Sequence, residues 1–411
     1  MQPDAVAENP GRASALLRHP PFVYLALGRG FSSVAYQMGA VAVGWQVYAM
    51  TNSAFDLGLI GVSQFTPLAA LTFFAGHAVD RYERKLVLQM CQLAEALTAL
   101  FLAWGTFAGW LTVGEIFGAV VVLGGSRAFG SPASAALLPG VVPLGLLQKG
   151  TAISNGVFQT ATILGPAIGG FAYAFSPVLP YALMASLWLL ATIMNGLIKM
   201  DRPAVAKEPP SFASLFAGIE FVRKNPAILG TISLDLFAVL LGGATALLPI
   251  YARDILHTGP WGLGILRGAP AIGSLLMTIW VAHHAMERRV GMRMFQAVIV
   301  FGTATVIFGL SHFFLLSLFA LFFMGASDTI SVIIRTSLVQ LRTPDNMRGR
   351  VGAVNYLFIN ASNNLGEFES GFTAALMGAV PAVILGGVGC VAIALLWMKL
   401  FPTLRALERL E

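Results

Sequence analysis

Long apolar runs separated by short polar breaks dominate this chain. They predict membrane-spanning helices near residues 21–50, 57–76, 86–105, 113–137, 150–175 and 178–199, and a second set near 227–252, 260–282, 292–311, 313–341, 351–378 and 380–400. A helix needs about 20 apolar residues to cross the hydrocarbon core of a bilayer, so each run is long enough to span. A polar stretch at 201–226 divides the two sets. Pro209 and Pro210 end the sixth span, and Ser211 can cap a new helix. Phe212, Leu215, Phe216, Ile219 and Val222 then recur at helical spacing, with Glu220, Arg223 and Lys224 largely off that stripe. This predicts an amphipathic helix lying in the membrane interface. The expected fold is an all-α membrane protein of about twelve transmembrane helices. Its parts are an N-terminal segment (1–20), a six-helix bundle (21–200), the linker (201–226), a second six-helix bundle (227–400) and a tail (401–411).

Composition agrees with this reading. Of 411 residues, 57% are hydrophobic and 11% charged, against about 25% charged in a soluble protein. The charges also orient the spans. Among 25 Lys and Arg residues, Arg253 alone falls in an odd-numbered loop, and Arg29, Arg127, Arg267 and Arg335 fall inside spans. The others occupy the termini and the even-numbered loops, so both termini are expected in the cytoplasm. The net charge of +6 suits loops facing anionic lipid headgroups and requires no nucleic-acid partner. Arg12 and Arg18 precede an apolar run too long for a signal-peptide core, so the first span is expected to stay in the mature protein. Cys91 and Cys390 imply neither a disulfide framework nor a metal cluster, and the adjacent His283 and His284 do not share a helix face. No metal or cofactor is expected.

An ionised side chain at mid-span costs about 2.5–3.5 kcal/mol on insertion scales, so each such residue needs a partner, water or a purpose. In the first span Arg29, Ser32, Ser33, Tyr36 and Gln37 share a helical face. Asp328, Ser331 and Arg335 do so in the tenth, and Asn360, Asn363, Asn364 and Glu367 in the eleventh. Arg127 lies in the fourth span and Asp235 in the seventh. Polar stripes on apolar helices turn inward, which predicts a wet central cavity. A carboxylate there can take a proton from one side and yield it when substrate arrives. Asp328 is the first candidate, with Arg335 as its modulator, followed by Glu367 and Asp235. The plainer alternative pairs Arg29 with Asp235 and Arg127 with a carbonyl, merely fixing helix packing. A packing role is open for Glu95, and Glu115 and Arg267, close to span ends, can snorkel.

The loop after the second span reads Gly76-His77-Ala78-Val79-Asp80-Arg81-Tyr82-Glu83-Arg84-Lys85. Glycine lets two helix ends approach closely, and an aspartate can accept hydrogen bonds from a helix N-terminus. This Gly-x-x-x-Asp-Arg-x-x-Arg-Lys pattern resembles the loop between spans two and three of the major facilitator superfamily of transporters. There it acts as a latch that closes the cytoplasmic side. The resemblance implies that Gly76, Asp80, Arg81 and Arg84 form a cytoplasmic gate. The matching loop of the second half, Ala282 to Arg289, lacks both the Gly and the Asp. Asp80 and Glu287, Arg127 and Arg335, and Arg29 and Asp235 are each separated by about half the chain, as expected of two related bundles. Gly165-Pro166-Ala167-Ile168-Gly169-Gly170 in the fifth span resembles the Gly-Pro-x-x-Gly-Gly motif of facilitators that act as antiporters. Small residues there permit close helix contact, and the proline bends the span so that it can seal one exit. Arg127 keeps the arginine of the drug-exporter motif without its glycine series. Facilitators line their cavity chiefly with the first and fourth spans of each half. The resemblance therefore implies a major facilitator fold with Arg29, Tyr36, Gln37, Arg127, Asp235, Asp328, Arg335, Asn363 and Glu367 at the substrate cavity.

The most specific likeness lies in the second half. Gly325-Ala326-Ser327-Asp328, Arg335, the stretch from Gln340 to Val351 and the stretch from Leu365 to Gly371 resemble the bacterial enterobactin-exporter family, and Gly44-Trp45-Gln46-Val47-Tyr48 agrees. One departure is the uncharged loop from Gly140 to Gly145. This resemblance implies a proton-coupled exporter of a small molecule such as a siderophore, in the bacterial inner membrane, working by alternating access as a monomer. Its partners would be the substrate, protons and lipid. Arg29, Arg127 and Arg335 suit an anionic or catecholate substrate. The alternatives are a multidrug antiporter for lipophilic cations, favoured by Asp235 and Asp328, and a membrane receptor or scaffold with no transport cycle. No catalytic motif or phosphate loop occurs, so an enzyme is not expected.

Overall fold

The computed structural model describes residues 16–143, 145–199, 212–284 and 289–409. Six long helices form the first half: α1 (Pro20–Thr51), α2 (Ala54–Arg81), α3 (Arg84–Ala108), α4 (Val113–Val141), α5 (Leu147–Phe175) and α6 (Leu179–Gly196). A surface helix, α7 (Phe212–Lys224), leads to α8 (Pro226–Leu241), α9 (Gly259–His283), α10 (Val290–Leu310), α11 (Phe314–Arg342), α12 (Asp345–Met377) and α13 (Ala379–Leu400). Pro209, Pro210, Ser211 and Glu287 lie outside the described residues, as do the side chains of Asp80, Phe212 and Leu215.

Local chemistry explains the helix ends. Asn52, in the left-handed region at φ 51°, ends α1, and the Ser53 hydroxyl accepts the Asp56 N–H to start α2, so two residues turn the chain. Gly109, at φ 74°, ends α3. Thr112 and Glu115 form a reciprocal capping box at the start of α4, with the Thr112 N–H 2.6 Å from Glu115 Oε2. Glu115 therefore closes a helix end and does not snorkel. Thr112→Ala is expected to lower stability by about 1 kcal/mol, read as a lower unfolding temperature, with transport unchanged.

The main helix contacts within the first bundle have counterparts in the second. The pairs α1–α5, α2–α4 and α3–α6 match α8–α12, α9–α11 and α10–α13, and across the bundles α5–α9 matches α2–α12. Two pseudo-symmetric six-helix bundles thus face each other. Nine helical stretches among the described residues are apolar enough to cross a membrane by length and hydropathy alone, and α1, α5 and α12 fall short. Those three contribute polar residues to the space between the bundles, among them Gln37 of α1, Gln159 of α5 and Asn363 of α12, and such residues lower their mean hydropathy.

Two features differ from the sequence reading. The seventh span is not one helix: α8 ends at Gly242 and Gly243, and the chain continues as a 3-10 turn (Ala244–Leu247), a short α turn (Leu248–Ile250) and a π turn (Tyr251–Ile255). At Gly243 a Cβ would lie 2.6 Å from the Gly366 carbonyl carbon of α12, so only glycine permits this approach. Helix α7 also does more than lie in the interface. Ile219 and Val222 pack with Val351 and Val354 of α12, so part of its apolar stripe belongs to the second bundle, while Phe216 stays exposed. Lys224 Nζ donates to Glu220 at 2.7 Å on the outer face and holds that carboxyl below its ordinary pKa.

Candidate substrate cavity

A cavity of about 660 Å³ lies between the bundles. Small-molecule sites usually span about 300–1,000 Å³, so it has room for one. The first bundle contributes Tyr36 and Gln37 of α1, Gln64 of α2 and Arg127 of α4. The second contributes Arg267 of α9, Asp328 of α11 and Asn360, Asn363, Asn364 and Glu367 of α12. Phe158 and Phe301 add aromatic surface.

The polar side chains are held in place. The Arg127 guanidinium sits 3.9 Å from the centre of the Tyr36 ring, and the Tyr36 hydroxyl accepts from Gln64 Nε2 at 2.6 Å. A cation stacked on an aromatic face gains about 0.5–2 kcal/mol, more when water is excluded. Stacking leaves the edge of the guanidinium free to fork onto an anion. Glu95 of α3 lies within electrostatic reach of Arg127. Asn360, Asn363 and Asn364 each donate one N–H to a carbonyl a turn earlier, at 2.8 to 2.9 Å, which fixes the amides and leaves their other polar atoms for the cavity. Arg267 donates toward the Ala40 carbonyl of α1 at 3.5 Å and so reaches from one bundle to the other. Glu367 lies within electrostatic reach of Arg267 and faces Gly61 of α2, where a Cβ would stand 3.1 Å from its carboxylate.

Several expectations need correction. Arg29 does not pair with Asp235; its Nη1 donates to Ser154 Oγ of α5 at 2.7 Å, away from the cavity lining. Arg335 lies within electrostatic reach of Asp328, but its direct partner is on another helix. It forms a buried ion pair with Asp235 of α8, the two residues being 3% and 5% exposed. The polar stripe of α11 gave no ion-pair partner for Arg335, because a guanidinium that reaches sideways finds the neighbouring helix. Arg127 stacks on Tyr36 and does not bond a carbonyl. Arg267 lies two turns inside α9 and lines the cavity instead of snorkelling. The cavity charge is consequently balanced, with Arg127 and Arg267 against Asp328 and Glu367. The lining also draws heavily on α2, α5, α9 and α12, beyond the first and fourth spans of each half.

The bundles meet tightly at one end. The Tyr48 hydroxyl donates to Asp254, and Arg253 Nη1 donates to the Tyr48 carbonyl at 3.3 Å. Phe55 packs edge-on against Phe368 and Phe372. The antiporter-like motif lies at the same seal: Gly165 and Gly169 let α1 approach at Gln37 and Met38, while Gly170 faces Gly264 of α9. Pro166 lines the cavity. Toward the other end, a side chain added at Gly156 of α5 or at Gly349 or Gly352 of α12 would meet nothing within 4 Å. The contacts named between the bundles thus lie away from the end that carries Arg81 and Arg84. At that end Gly76 lies near the last turns of α2, Arg81 is exposed, and Arg84 Nη1 donates toward the Ala136 carbonyl at 3.4 Å. The Asp80 side chain is outside the described residues.

The Tyr48 hydroxyl bonds a charged acceptor, which is worth about 1.5–3 kcal/mol. Tyr48→Phe should loosen the seal. A cysteine placed at Val43 should then react about tenfold faster with an impermeant thiol reagent added from the sealed side.

Comparison with known proteins agrees with this architecture. The chain is 25% identical to the enterobactin exporter EntS of Citrobacter koseri over 95% of its own length and 94% of the relative's. It is likewise 25% identical to EntS of Escherichia coli, with the same coverage of both chains. Among solved structures, a single-residue mutant of the nucleoside transporter NupG superposes with a TM-score of 0.73 at 13% identity, covering 93% of this chain and 100% of that one. A bacterial homologue of the human lysosomal transporter Spinster, inward-facing and occupied, gives 0.71 at 12% identity and 97% coverage of both. The model of the Major Facilitator Superfamily matches residues 25–367. With its paired six-helix bundles around a central cavity, this multi-pass membrane transporter belongs to the Major Facilitator Superfamily.

Proposed function

We propose that this protein is a proton-coupled exporter of a small acidic or catecholate molecule, a siderophore such as enterobactin, across the bacterial inner membrane by alternating access. The observation that carries this reading is the cavity between the bundles, lined by arginines from both, Arg127 and Arg267, and by the carboxylate of Asp328. A catecholate or carboxylate substrate binds between the two guanidinium groups, and Asp328 exchanges a proton as the substrate leaves. The distribution of Lys and Arg supports a cytoplasmic assignment for the end that carries Arg81 and Arg84 and for both termini, which puts the seal around Tyr48 on the opposite face. In the outward-open state the end carrying Arg81 and Arg84 closes as the latch forms, and the seal around Tyr48 and Gly170 opens. The names of the curated relatives support siderophore export in particular.

The cavity carboxylates Asp328 and Glu367 favour one alternative, an antiporter for lipophilic cations. Everted membrane vesicles, acid inside, separate the two. Gradient-dependent accumulation of enterobactin is expected, with little accumulation of a lipophilic cationic dye. Dye accumulation without enterobactin accumulation would assign the protein to multidrug efflux.

A further inference from the structure

Behind the cavity wall a second, small chamber of about 10 Å³ lies between α8, α10 and α11. Its polar lining is Asp235, Ser327, Asp328 and Ser331, and Ala297 and Val298 of α10 close it with apolar surface. Asp328 and Phe301 line both spaces, so this chamber adjoins the substrate cavity through them. Among the described residues, two polar atoms at or beside the chamber have no partner. Ser331, 3% exposed, leaves its hydroxyl oxygen unbonded, and Arg335 Nε is likewise unsatisfied beside its ion pair with Asp235. Ser327 donates to the carbonyls of Phe323 and Met324 at 2.8 and 2.9 Å, so its oxygen can still accept. About 10–15 Å³ of probe space holds one water, which needs two to four polar partners, and this chamber supplies them.

We propose that the chamber holds one water molecule through which Asp235 and Asp328 share a single exchangeable proton, so that the coupling site is the pair and not Asp328 alone. This rests on the proton-coupled reading of the cavity. Two carboxylates beside one guanidinium carry a net charge of −1, which is costly away from water. One proton makes the cluster neutral. A second would leave Arg335 without a counter-ion, so the pair titrates as a unit with one proton. Transfer balances: Asp328 gives its proton to the water oxygen while the water gives one of its own to Asp235, and only O–H bonds change. With the proton on Asp235, the charge facing Arg335 passes to Asp328, and the cavity wall carries the negative charge. The other ionisable groups on the packed elements do not enter the chamber. Cys390 of α13 donates to the Ala238 carbonyl at 3.0 Å, and Glu367 and Arg267 face the cavity.

The test is an infrared titration of carboxyl groups in proteoliposomes, with thermal unfolding as a check on folding. The native protein should show, among its carboxylic acids, one that titrates between about pH 5 and 9 and is lost in the variants of this pair. Asp235→Asn and Asp328→Asn should each remove it, because either change leaves a neutral pair with Arg335. Ser331→Ala deletes a partner of the water, keeps both carboxylates, and should move the midpoint by about one pH unit. A signal that persists at its native midpoint in Asp235→Asn, or a Ser331→Ala midpoint equal to the native one, would overturn the shared proton. A sodium-dependent signal in place of the proton would do the same. Gradient-driven uptake by the same vesicles keeps the two claims apart. Proton-driven uptake without a shared carboxyl refutes this inference alone, whereas uptake indifferent to the proton gradient refutes the proposed function.

Discussion

Asp328→Asn is expected to abolish gradient-driven export while leaving the protein folded and able to bind substrate. The change is isosteric, and Asp328 lines the cavity at its border with the buried Asp235–Arg335 pair. An amide cannot take up and release a proton at working pH, so substrate binding no longer couples to proton movement. Uptake into everted vesicles should fall by at least about tenfold, or ~1.4 kcal/mol in the driving step. Exchange of labelled substrate without a gradient should survive. Loss of exchange and binding together would make Asp328 a substrate ligand.

Gly170→Leu is expected to trap the protein with its sealed end open. A Cβ at Gly170 would stand 2.5 Å from the Pro260 carbonyl oxygen and 2.9 Å from Cα of Gly264, and Gly264 in turn lies against Pro166. Backbone cannot retreat as a flexible side chain can, so the two bundles cannot close there. Leucine favours a helix over glycine by up to about 1 kcal/mol, so α5 itself should form normally. Transport should fall to background, and spin labels on the ends of α5 and α9 nearest the seal should show a longer distance. Normal transport would mean that the antiporter-like motif is not part of the gate.

The residues explain how far the sequence could be read. Helical spacing exposed the polar stripes of α1, α11 and α12, because an amide or carboxylate every three or four residues in an apolar run has few explanations. Tyr36, Gln37, Asp328, Asn363 and Glu367 accordingly line the cavity. Partnership was less legible. Asp235 and Arg335 are neighbours through the packing of α8 on α11, and no spacing along one helix reveals that contact. Arg267 was misread because its distance from a span end was judged without knowing which way the helix faces; it turns toward α1 and Glu367. The break in the seventh span did have a local signal in Gly242-Gly243, hidden by the unbroken hydrophobicity around it. With Arg29 and Arg335 outside the lining, the charge balance of the cavity emerged only from the packed helices.

The central claim is that substrate leaves in exchange for protons. Its most direct measurement follows the lumenal pH of acid-filled everted vesicles with a trapped pH-sensitive dye while enterobactin is added outside. Native protein should give a substrate-triggered alkalinisation that saturates with enterobactin, and Asp328→Asn should give none. Enterobactin accumulation with an undisturbed pH gradient would contradict proton-coupled export.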